Sequence, residues 1–441
     1  MLLKRIHAIT NKFFNKCREI GFFPTVDIVF SKIKSKLKTN KGYQIIQAPL
    51  SSSYDVILNG LKYAKKVSNQ QDNHIPKSQS KELEFVWLVP FFSKGSGGHK
   101  TLFRFVKGLE DMGCKCHVYI VGEYDVSLTT DNIRNQIREY FEPINADVKI
   151  YYAEDIQEES DIVVCTSWIT AYAALTFNAN SKIYFVQDYE PSFYSLGSYW
   201  YLAEQTYKFG YYHITHGAWL TNFLRESYES QADYYDIAVD RNIYYPRTKI
   251  KNPLIKKFHQ DKNFKVCFYG RSVTPRRCFE LVAMALHLFS EKVDQITLIS
   301  YGWNDIPALS FSCHNLGMLS PDELAELYSV CDVCIALSAT NISLVAHESI
   351  ACGCVLMDLA VENTADYLMH LQNSYLVKPL PTDICDGLIN LYQDRELLKN
   401  IKQSSFQYIS EKTGWENQVQ KLYSLVKSYD GNASDRASQK N

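Results

Sequence analysis

Short runs of β-branched and aromatic residues alternate with helical patterns along most of the chain, and this alternation restricts the fold more than any other feature. Strands that alternate with helices favour parallel sheets with helices on both faces. The alternation starts at Glu84, stops in a stretch rich in Pro and Lys at 245–263, and starts again at Phe264. The sequence therefore predicts two α/β domains, for which 441 residues are sufficient.

The pattern also predicts the order of the elements. In the first run, strands are predicted at 85–90, 116–121, 148–152, 161–165, 183–187 and 211–215, with a helix at 99–112. In the second run, strands are predicted at 264–269, 296–301, 333–337 and 355–359, and helices at 276–289, 321–329 and 344–351. The predicted class is α/β, with two doubly wound, Rossmann-like domains facing a central cleft.

The predicted division of the chain has four parts. A basic helical extension and an irregular polar linker occupy 1–80, and the first domain occupies 81–250. The second domain occupies 251–425 and ends in a helix that returns to the first domain, before a disordered tail at 426–441.

Residues 1–41 concentrate positive charge. Ten Lys or Arg stand there against Glu19 and Asp27, a net charge of +8 in a chain whose total is −1. Apolar residues recur at helical spacing among these cations, which suits either an anionic membrane surface or a helix docked on its own domain. We predict peripheral membrane contact through this arm, and the docked helix remains the alternative.

Other compartments and partners are disfavoured. No apolar run approaches the roughly 18 residues that a bilayer span needs, and the first residues lack a signal-peptide pattern. The sequence therefore predicts a cytoplasmic protein, peripheral at the inner face of the plasma membrane. The near-neutral total charge gives no field for a polyanion, so nucleic acid is not an expected partner.

Metal sites are not expected either. Three close pairs occur among the twelve cysteines: Cys114 with Cys116, Cys331 with Cys334, and Cys352 with Cys354. Each pair lies in an apolar segment rather than in the turn-rich surroundings of a zinc site, so buried thiols are predicted. No Asp-x-Asp triplet occurs, so the carboxylate pair that commonly holds a nucleotide-bound divalent ion is missing.

A glycine-rich loop follows the first predicted strand. It runs from Ser93 to His99 and includes Gly97 and Gly98. Because it opens a helix, its backbone N–H groups and the positive helix end suit an anion or a sugar. It lacks the spacing of a dinucleotide or P-loop motif, and a merely tight turn is the alternative.

The opening of the second domain carries clustered cations. Gly270 and Arg271 end its first predicted strand, and Arg276 and Arg277 begin the following helix. Fixed guanidinium groups stabilise a departing pyrophosphate through paired hydrogen bonds. Lone surface arginines are the alternative.

A polar loop follows a later strand of the second domain. It comprises Ser338, Thr340, Asn341, Ile342, Ser343 and Leu344, whose amides can bind a phosphate. Glu348 lies one turn into the next, otherwise apolar helix, where an unpaired carboxylate is costly. We predict that it faces ribose hydroxyls, with a structural ion pair as the alternative.

Three segments of this domain resemble the donor domain of retaining glycosyltransferase family 4. They are Leu-Gly-Met-Leu-Ser-Pro-Asp-Glu-Leu-Ala-Glu-Leu-Tyr from Leu316, Asp-Val-Cys-Ile-Ala-Leu-Ser from Asp332, and His-Glu-Ser-Ile-Ala-Cys-Gly from His347. The resemblance covers about residues 84–425 and implies a GT-B fold, with Arg271 and Arg276 on the pyrophosphate and Glu348 on the ribose. The family commonly has a second Glu eight positions earlier, where this chain has Thr340.

Other segments resemble a narrower subgroup, the rhamnosyltransferases that build bacterial rhamnan chains. They are Tyr-Phe-Val-Gln-Asp-Tyr-Glu-Pro from Tyr184, Gly-Ala-Trp-Leu from Gly217, and Phe-Tyr-Gly-Arg from Phe268. This resemblance implies a dTDP-L-rhamnose donor.

The acceptor side is predicted at the strand ends of the first domain. Where the wider family often has a histidine, this chain has Gln187, which can hydrogen-bond a sugar hydroxyl. Asp188 and Glu190 are candidates to orient the acceptor or accept its proton, or else they only cap the next turn. His216 ends another strand and is a similar candidate.

The sequence thus predicts a metal-independent, retaining hexosyltransferase that uses no cofactor beyond its nucleotide-sugar substrate. Its acceptor would be a growing surface polysaccharide or a lipid-linked glycan. A nucleotide-sugar epimerase with the same architecture and a non-catalytic sugar-nucleotide-binding scaffold remain the alternatives.

Overall fold

A computed structural model of the chain describes residues 52–68, 83–123, 128–152 and 159–438. The basic arm predicted at 1–41 lies outside these residues. The helices are α1 (Ser52–Ser68), α2 (Gly97–Asp111), α3 (Thr130–Tyr140), α4 (Trp168–Ala174), α5 (Ser198–Gln205), α6 (Ala218–Tyr228), α7 (Pro253–Gln260), α8 (Phe279–Lys292), α9 (Pro321–Val330), α10 (Leu344–Ala351), α11 (Glu362–Ala365), α12 (Pro381–Gln393), α13 (Arg395–Ser410) and α14 (Trp415–Ser438). None of the described helices is long and apolar enough to cross a membrane.

The strands form two parallel sheets. The first contains β1 (Glu84–Pro90), β2 (Lys115–Val121), β3 (Asp147–Ile150), β4 (Glu159–Cys165), β5 (Asn178–Val186), β6 (Tyr212–His216) and β7 (Ala232–Tyr235), in the order β3-β2-β1-β4-β5-β6-β7. The second contains β8 (Phe264–Tyr269), β9 (Ile296–Tyr301), β10 (His314–Asn315), β11 (Val333–Ile335), β12 (Val355–Leu359) and β13 (Tyr375–Val377), in the order β10-β9-β8-β11-β12-β13. In each sheet the order reverses beside its first strand, which makes both sheets doubly wound and places a ligand crevice at the carboxyl ends of the strands.

Strand β1 shows why these segments form central strands. Phe85, Trp87 and Val89 pack into the core on one face of the sheet, while Val86 and Leu88 pack into the core on the other. A strand covered on both faces needs a continuous apolar run, and burying each large side chain stabilises the fold by roughly 1.5–3 kcal/mol.

The last helix, α14, packs on the first domain. Trp415, Val419, Leu422 and Val426 recur at helical spacing and belong to the core of the first sheet. Gly108 of α2 permits this approach, because a Cβ there would lie 2.6 Å from Cγ2 of Val419. The helix continues to Ser438, so the tail predicted as disordered at 426–441 is helical up to that residue.

Two other predictions are wrong at the level of elements. The linker predicted as irregular contains α1, because Val56, Ile57 and Gly60 form a buried stripe that docks on α4. The helix predicted at 276–289 starts only at Phe279. It is preceded by a 3₁₀ turn at Pro275–Arg277 and by Cys278, whose φ of 53° is left-handed and breaks the helical path.

Candidate active site

Hydrogen bonds across the cleft bring the carboxyl ends of both sheets together. The Asn341 side-chain amide, in the loop after β11, donates to the backbone oxygens of Gln187 at 3.0 Å and His216 at 3.1 Å. Gln187 follows β5 and His216 ends β6, so one side chain joins two strand ends of the opposite domain. The Asn341 oxygen accepts from the Ile342 amide at 2.9 Å. Asn341 was predicted to bind the donor, but its amide group is used to join the domains.

The predicted arginines converge on the second-domain side of the cleft. The Arg271 guanidinium lies over the Trp303 ring at 5.0 Å from its centroid, and that of Arg276 lies over the Phe193 ring at 4.2 Å. Arg277 donates from Nη1 to Oγ of Ser338 at 2.7 Å. Arg277 therefore holds the loop after β11, whereas Arg271 and Arg276 each rest on an aromatic ring.

Two of these cations have a buried Nε donor without a hydrogen bond. The Nε atoms of Arg271 and Arg276 are buried, and no acceptor in the described part of the chain forms a hydrogen bond with them. Burial lowers the pKa of Arg276, and Arg277 and Arg271 lower it further, against the opposing effect of Asp188. Buried donors without acceptors are costly, so the two guanidinium groups suit the anionic ligand predicted for them, whose binding stays a prediction.

Asp188 faces the arginines from the other domain. Its Oδ2 accepts from the Thr340 hydroxyl at 2.9 Å and lies 3.5 Å from Nε of Arg276. Its Oδ1 accepts from the amide of Tyr189 at 2.9 Å. Burial raises the pKa of Asp188, although Arg276 and Arg277 oppose this shift. The Asp188 carboxylate therefore lies beside Arg276, across the cleft.

Glu190 has a different environment. Its Oε2 accepts from the Tyr184 hydroxyl at 2.9 Å and from the backbone amide of Trp168, the first residue of α4. Burial raises the pKa of Glu190 to about 7. Glu190 thus caps a helix, as the alternative prediction for this residue stated. The helix is α4, which lies earlier in the chain, and not the turn that follows Glu190.

Replacing Glu190 by glutamine is expected to remove the contribution of this carboxyl to the pH dependence of the free energy of unfolding. The amide oxygen of glutamine can accept the same two hydrogen bonds without a charge to bury. The Glu190 carboxyl is protonated longer in the fold than in the unfolded chain, so its contribution is full below the unfolded-state pKa of about 4.5 and is lost as pH rises to about 7. The variant should gain up to about 3 kcal/mol over wild type across this window.

The measurement is the urea midpoint of wild type and Glu190→Gln at a series of pH values. The exposed Glu280 provides the control, because Glu280→Gln should follow the wild-type curve. Parallel curves for wild type and Glu190→Gln would contradict the assignment of a buried carboxyl at this position.

Asp358 binds the start of the polar loop after β11 through hydrogen bonds. The sequence analysis did not predict this residue. Its Oδ1 accepts from the amides of Ser338 at 2.9 Å and Leu359 at 2.8 Å, while Oδ2 is buried without a hydrogen bond from the described residues. Burial raises the pKa of Asp358 to about 7, and Arg277 opposes the shift. The signal in the sequence is a single carboxylate inside the apolar strand β12.

Not all of the loop amides predicted to bind phosphate face a ligand. The Ser338 amide is taken by Asp358, and that of Ala339 donates to the backbone oxygen of Arg276 at 3.0 Å. The Ser338 hydroxyl donates to the backbone oxygen of Asn341. The loop therefore contacts the backbone of Arg276 and the side chain of Arg277. Ser343 caps α10, with its hydroxyl accepting from the amide of Val345 at 3.4 Å.

Glu348 lies close to Arg104 and Tyr244. Burial raises its pKa to about 7, opposed by Arg104 and by a hydrogen bond from the hydroxyl of Tyr244. Arg104 also lies over the Trp415 ring, 4.9 Å from its centroid. The ion pairs of Arg104 are with Glu142 and Asp240, so binding of ribose hydroxyls by Glu348 stays a prediction.

His99 ends the glycine-rich loop and forms hydrogen bonds within it. Nδ1 of His99 pairs with the Ser96 hydroxyl at 2.7 Å, and Nε2 pairs with the backbone oxygen of Pro90 at 3.2 Å. Burial lowers the pKa of His99 to about 4. Both ring nitrogens of His99 therefore serve to close the loop, and the sugar contact through His99 stays a prediction.

Other residues predicted on the acceptor side do lie at the cleft. Gln187 donates from Nε2 to the backbone oxygen of Gly98 at 3.1 Å, and Gly97 has open space around it. Burial lowers the pKa of His216 to about 4. The Nε2 atom of His216 is buried without a hydrogen bond from the described residues. The His216 ring is thus neutral near pH 7, and its Nε2 atom forms no hydrogen bond with the described residues.

Two family models match this chain. Residues 123–216 match the model described as the N-terminal domain of WsaF, and residues 264–389 match that of its C-terminal domain. The O-antigen biosynthesis protein RfbC of Myxococcus xanthus is 27% identical over 347 residues, which cover 76% of this chain and 26% of that protein. The chain thus spans about a quarter of that relative's length.

Solved structures share the architecture along most of the chain. Sucrose-phosphate synthase of Thermosynechococcus elongatus matches with a TM-score of 0.61 and 12% identity, over 80% of this chain and 100% of that chain. Anabaena HepE, solved with UDP and glucose, matches with a TM-score of 0.60 and 14% identity, over 79% of this chain and 100% of that chain. The fold is GT-B. WaaG, a glycosyltransferase involved in lipopolysaccharide biosynthesis, has the same fold, with a TM-score of 0.55 and 12% identity over 78% of this chain and 99% of that chain.

Proposed function

We propose that this GT-B chain is a retaining glycosyltransferase that transfers a hexose, L-rhamnose from dTDP-L-rhamnose, to a growing surface polysaccharide or a lipid-linked glycan. The observation that carries the proposal is the pair of guanidinium groups of Arg271 and Arg276, whose buried Nε atoms donate no hydrogen bond to the described residues, at a cleft between two domains. The Asp188 carboxylate lies 3.5 Å from Nε of Arg276 as its ion-pair partner. Charge builds up on a diphosphate as its bond to the sugar breaks, and fixed cations at that position stabilise it.

The residues of the cleft suit different steps of this reaction. Arg271 and Arg276 receive the diphosphate, and Arg277 and Asp358 keep the neighbouring loop in place. The acceptor enters from the first domain, past Gln187 and His216, and Asp188 orients its hydroxyl or accepts its proton. Closure of the two domains around the donor excludes water from the bond that breaks.

Similar proteins support the proposed donor and acceptor in addition to the site itself. HepE binds UDP and glucose, and RfbC is named for O-antigen biosynthesis, so a nucleotide-sugar donor and a glycan acceptor fit this cleft. Rhamnose rests on the resemblance of the segments from Tyr184, Gly217 and Phe268. A cytoplasmic location at the inner face of the plasma membrane, with the basic arm on anionic lipid, fits a lipid-linked acceptor.

Calorimetric titration with dTDP, UDP and GDP tests the proposal. We expect the tightest binding for dTDP and at least about tenfold weaker binding in Arg271→Ala. Arg395→Ala is the control, because Arg395 lies over the ring of Phe264, 4.6 Å from its centroid, and Phe264 begins β8 at the opposite edge of the sheet. Preference for UDP or GDP would discard rhamnose, and no nucleotide binding would favour a scaffold.

Turnover is expected to be unchanged in EDTA, because Arg271 and Arg276 take the place of a divalent ion. Among the described residues there is no cluster of three or more His, Cys, Asp or Glu side chains suited to a metal. The measurement is sugar transfer with and without EDTA, followed by addition of Mg²⁺ or Mn²⁺. A strict requirement for either ion would overturn this mechanism. Product analysis on the same samples separates a transferase from an epimerase, which converts donor without acceptor.

A further inference from the structure

Apolar side chains are exposed on one part of the first domain, near the mouth of the cleft. On α1 they are Tyr54, Leu58 and Leu61, and on the segment around α5 they are Leu196, 73% exposed, and Tyr201, 59% exposed. We call these five residues the apolar rim. A hydrogen bond of 3.0 Å between the hydroxyls of Tyr54 and Tyr199 joins its two parts.

The part of the rim on α1 is a second stripe on a helix that is already packed. Val56, Ile57 and Gly60 face α4, and Gly60 lies directly on the backbone oxygen of Tyr172, so a Cβ there would clash. Tyr54, Leu58 and Leu61 are spaced by four and three residues and thus share a different side of the helix. The docking on α4 fixes the direction in which this stripe points.

Positive charge accompanies these apolar residues. Lys62 and Lys65 are exposed on α1, whose sequence holds three lysines against Asp55. The basic arm at 1–41 has a net charge of +8, and ten residues separate its end from Ser52. Leucine and tyrosine side chains next to lysines suit the boundary between lipid headgroups and acyl chains.

The rim also lies close to the proposed reaction centre. Leu196 is three residues from Phe193, so their Cα atoms are at most about 11 Å apart. The Phe193 ring supports the guanidinium of Arg276. A surface that contacted the rim would therefore lie beside the entrance to the cleft.

We propose that the apolar rim docks on an anionic lipid surface and turns the mouth of the cleft toward it. The rim supplies the apolar contact and fixes the orientation, while Lys62, Lys65 and the basic arm supply the attraction. Delivery of a lipid-linked acceptor to the cleft rests on the proposed function, but docking itself does not. Two weak contributions, apolar and electrostatic, are needed together for stable attachment to a bilayer.

Flotation of the full chain with vesicles of equimolar phosphatidylcholine and phosphatidylglycerol tests the proposal. We expect Leu196→Ser/Tyr201→Ser and Leu58→Ser/Leu61→Ser each to bind at least about tenfold more weakly than wild type. The matched control is Leu254→Ser/Leu380→Ser, which removes side chains that are 57% and 51% exposed on the second domain. This control should bind like wild type, and thermal unfolding should show that all three variants are folded.

Several outcomes would overturn the docking surface. The proposal is overturned if the wild-type protein does not float with the vesicles. It is also overturned if the rim variants bind the vesicles as well as the control variant does. Normal vesicle binding combined with a raised KM for a soluble glycan acceptor would assign the rim to the glycan instead. Calorimetry with nucleotides on the same samples tests the transferase separately, because loss of nucleotide binding leaves the flotation result unaffected.

Discussion

Arg276→Ala is expected to lower kcat/KM by about 100- to 1,000-fold, the usual cost of removing one fixed group that stabilises charge in a transition state. Its Nε is buried and donates no hydrogen bond to the described residues, and its guanidinium lies over the Phe193 ring, 4.2 Å from its centroid. The loss should fall mainly on kcat, because the diphosphate carries more charge once the bond to the sugar breaks.

Two further variants make this measurement specific. Arg276→Lys keeps the charge but loses the planar fork, so it should recover only part of the activity. Arg395→Ala removes a guanidinium that also lies on an aromatic ring, away from the cleft, and should leave turnover unchanged. The assignment would be refuted by an Arg276→Ala enzyme with wild-type kcat, measured by initial rates of sugar transfer.

Asp188→Asn is expected to change binding and turnover in opposite directions. The Asp188 carboxylate lies 3.5 Å from Nε of Arg276, so a diphosphate must compete with it for the same cation. An amide competes less, and the variant should bind the free nucleotide diphosphate about three- to tenfold more tightly. Turnover should nevertheless fall by about 100-fold or more, because an amide cannot accept the acceptor proton.

Calorimetry and initial rates on the same preparation check both parts. Thr340→Val is the matched control, since it removes the hydroxyl that donates to Asp188 at 2.9 Å and leaves the carboxylate in place. It should reduce turnover by less than Asp188→Asn. If Asp188→Asn lost both nucleotide affinity and turnover, Asp188 would be holding the donor site together rather than acting on the acceptor.

Much of the architecture could be predicted because it depends on local patterns. A strand such as β1, buried on both faces, must be apolar throughout, and its alternation with helices indicates a parallel sheet. The arginines after β8 could be predicted as well. A residue that directly follows a strand of a parallel sheet lies at the ligand edge, whatever its side chain contacts.

The sequence by itself determined the fold class, the two domains, the positions of Arg271 and Asp188 just after strands, and that of Arg276 in the segment between β8 and the next helix. Only the tertiary structure decided what these side chains contact. Phe193 and Trp303 support the arginines, Asp358 holds the loop after β11, and Asn341 joins the domains. His99 closes its own loop through Ser96 and Pro90. The tertiary structure also placed α1 on the first domain, because contacts between residues far apart in the chain leave no periodic signal that a sequence pattern can reveal.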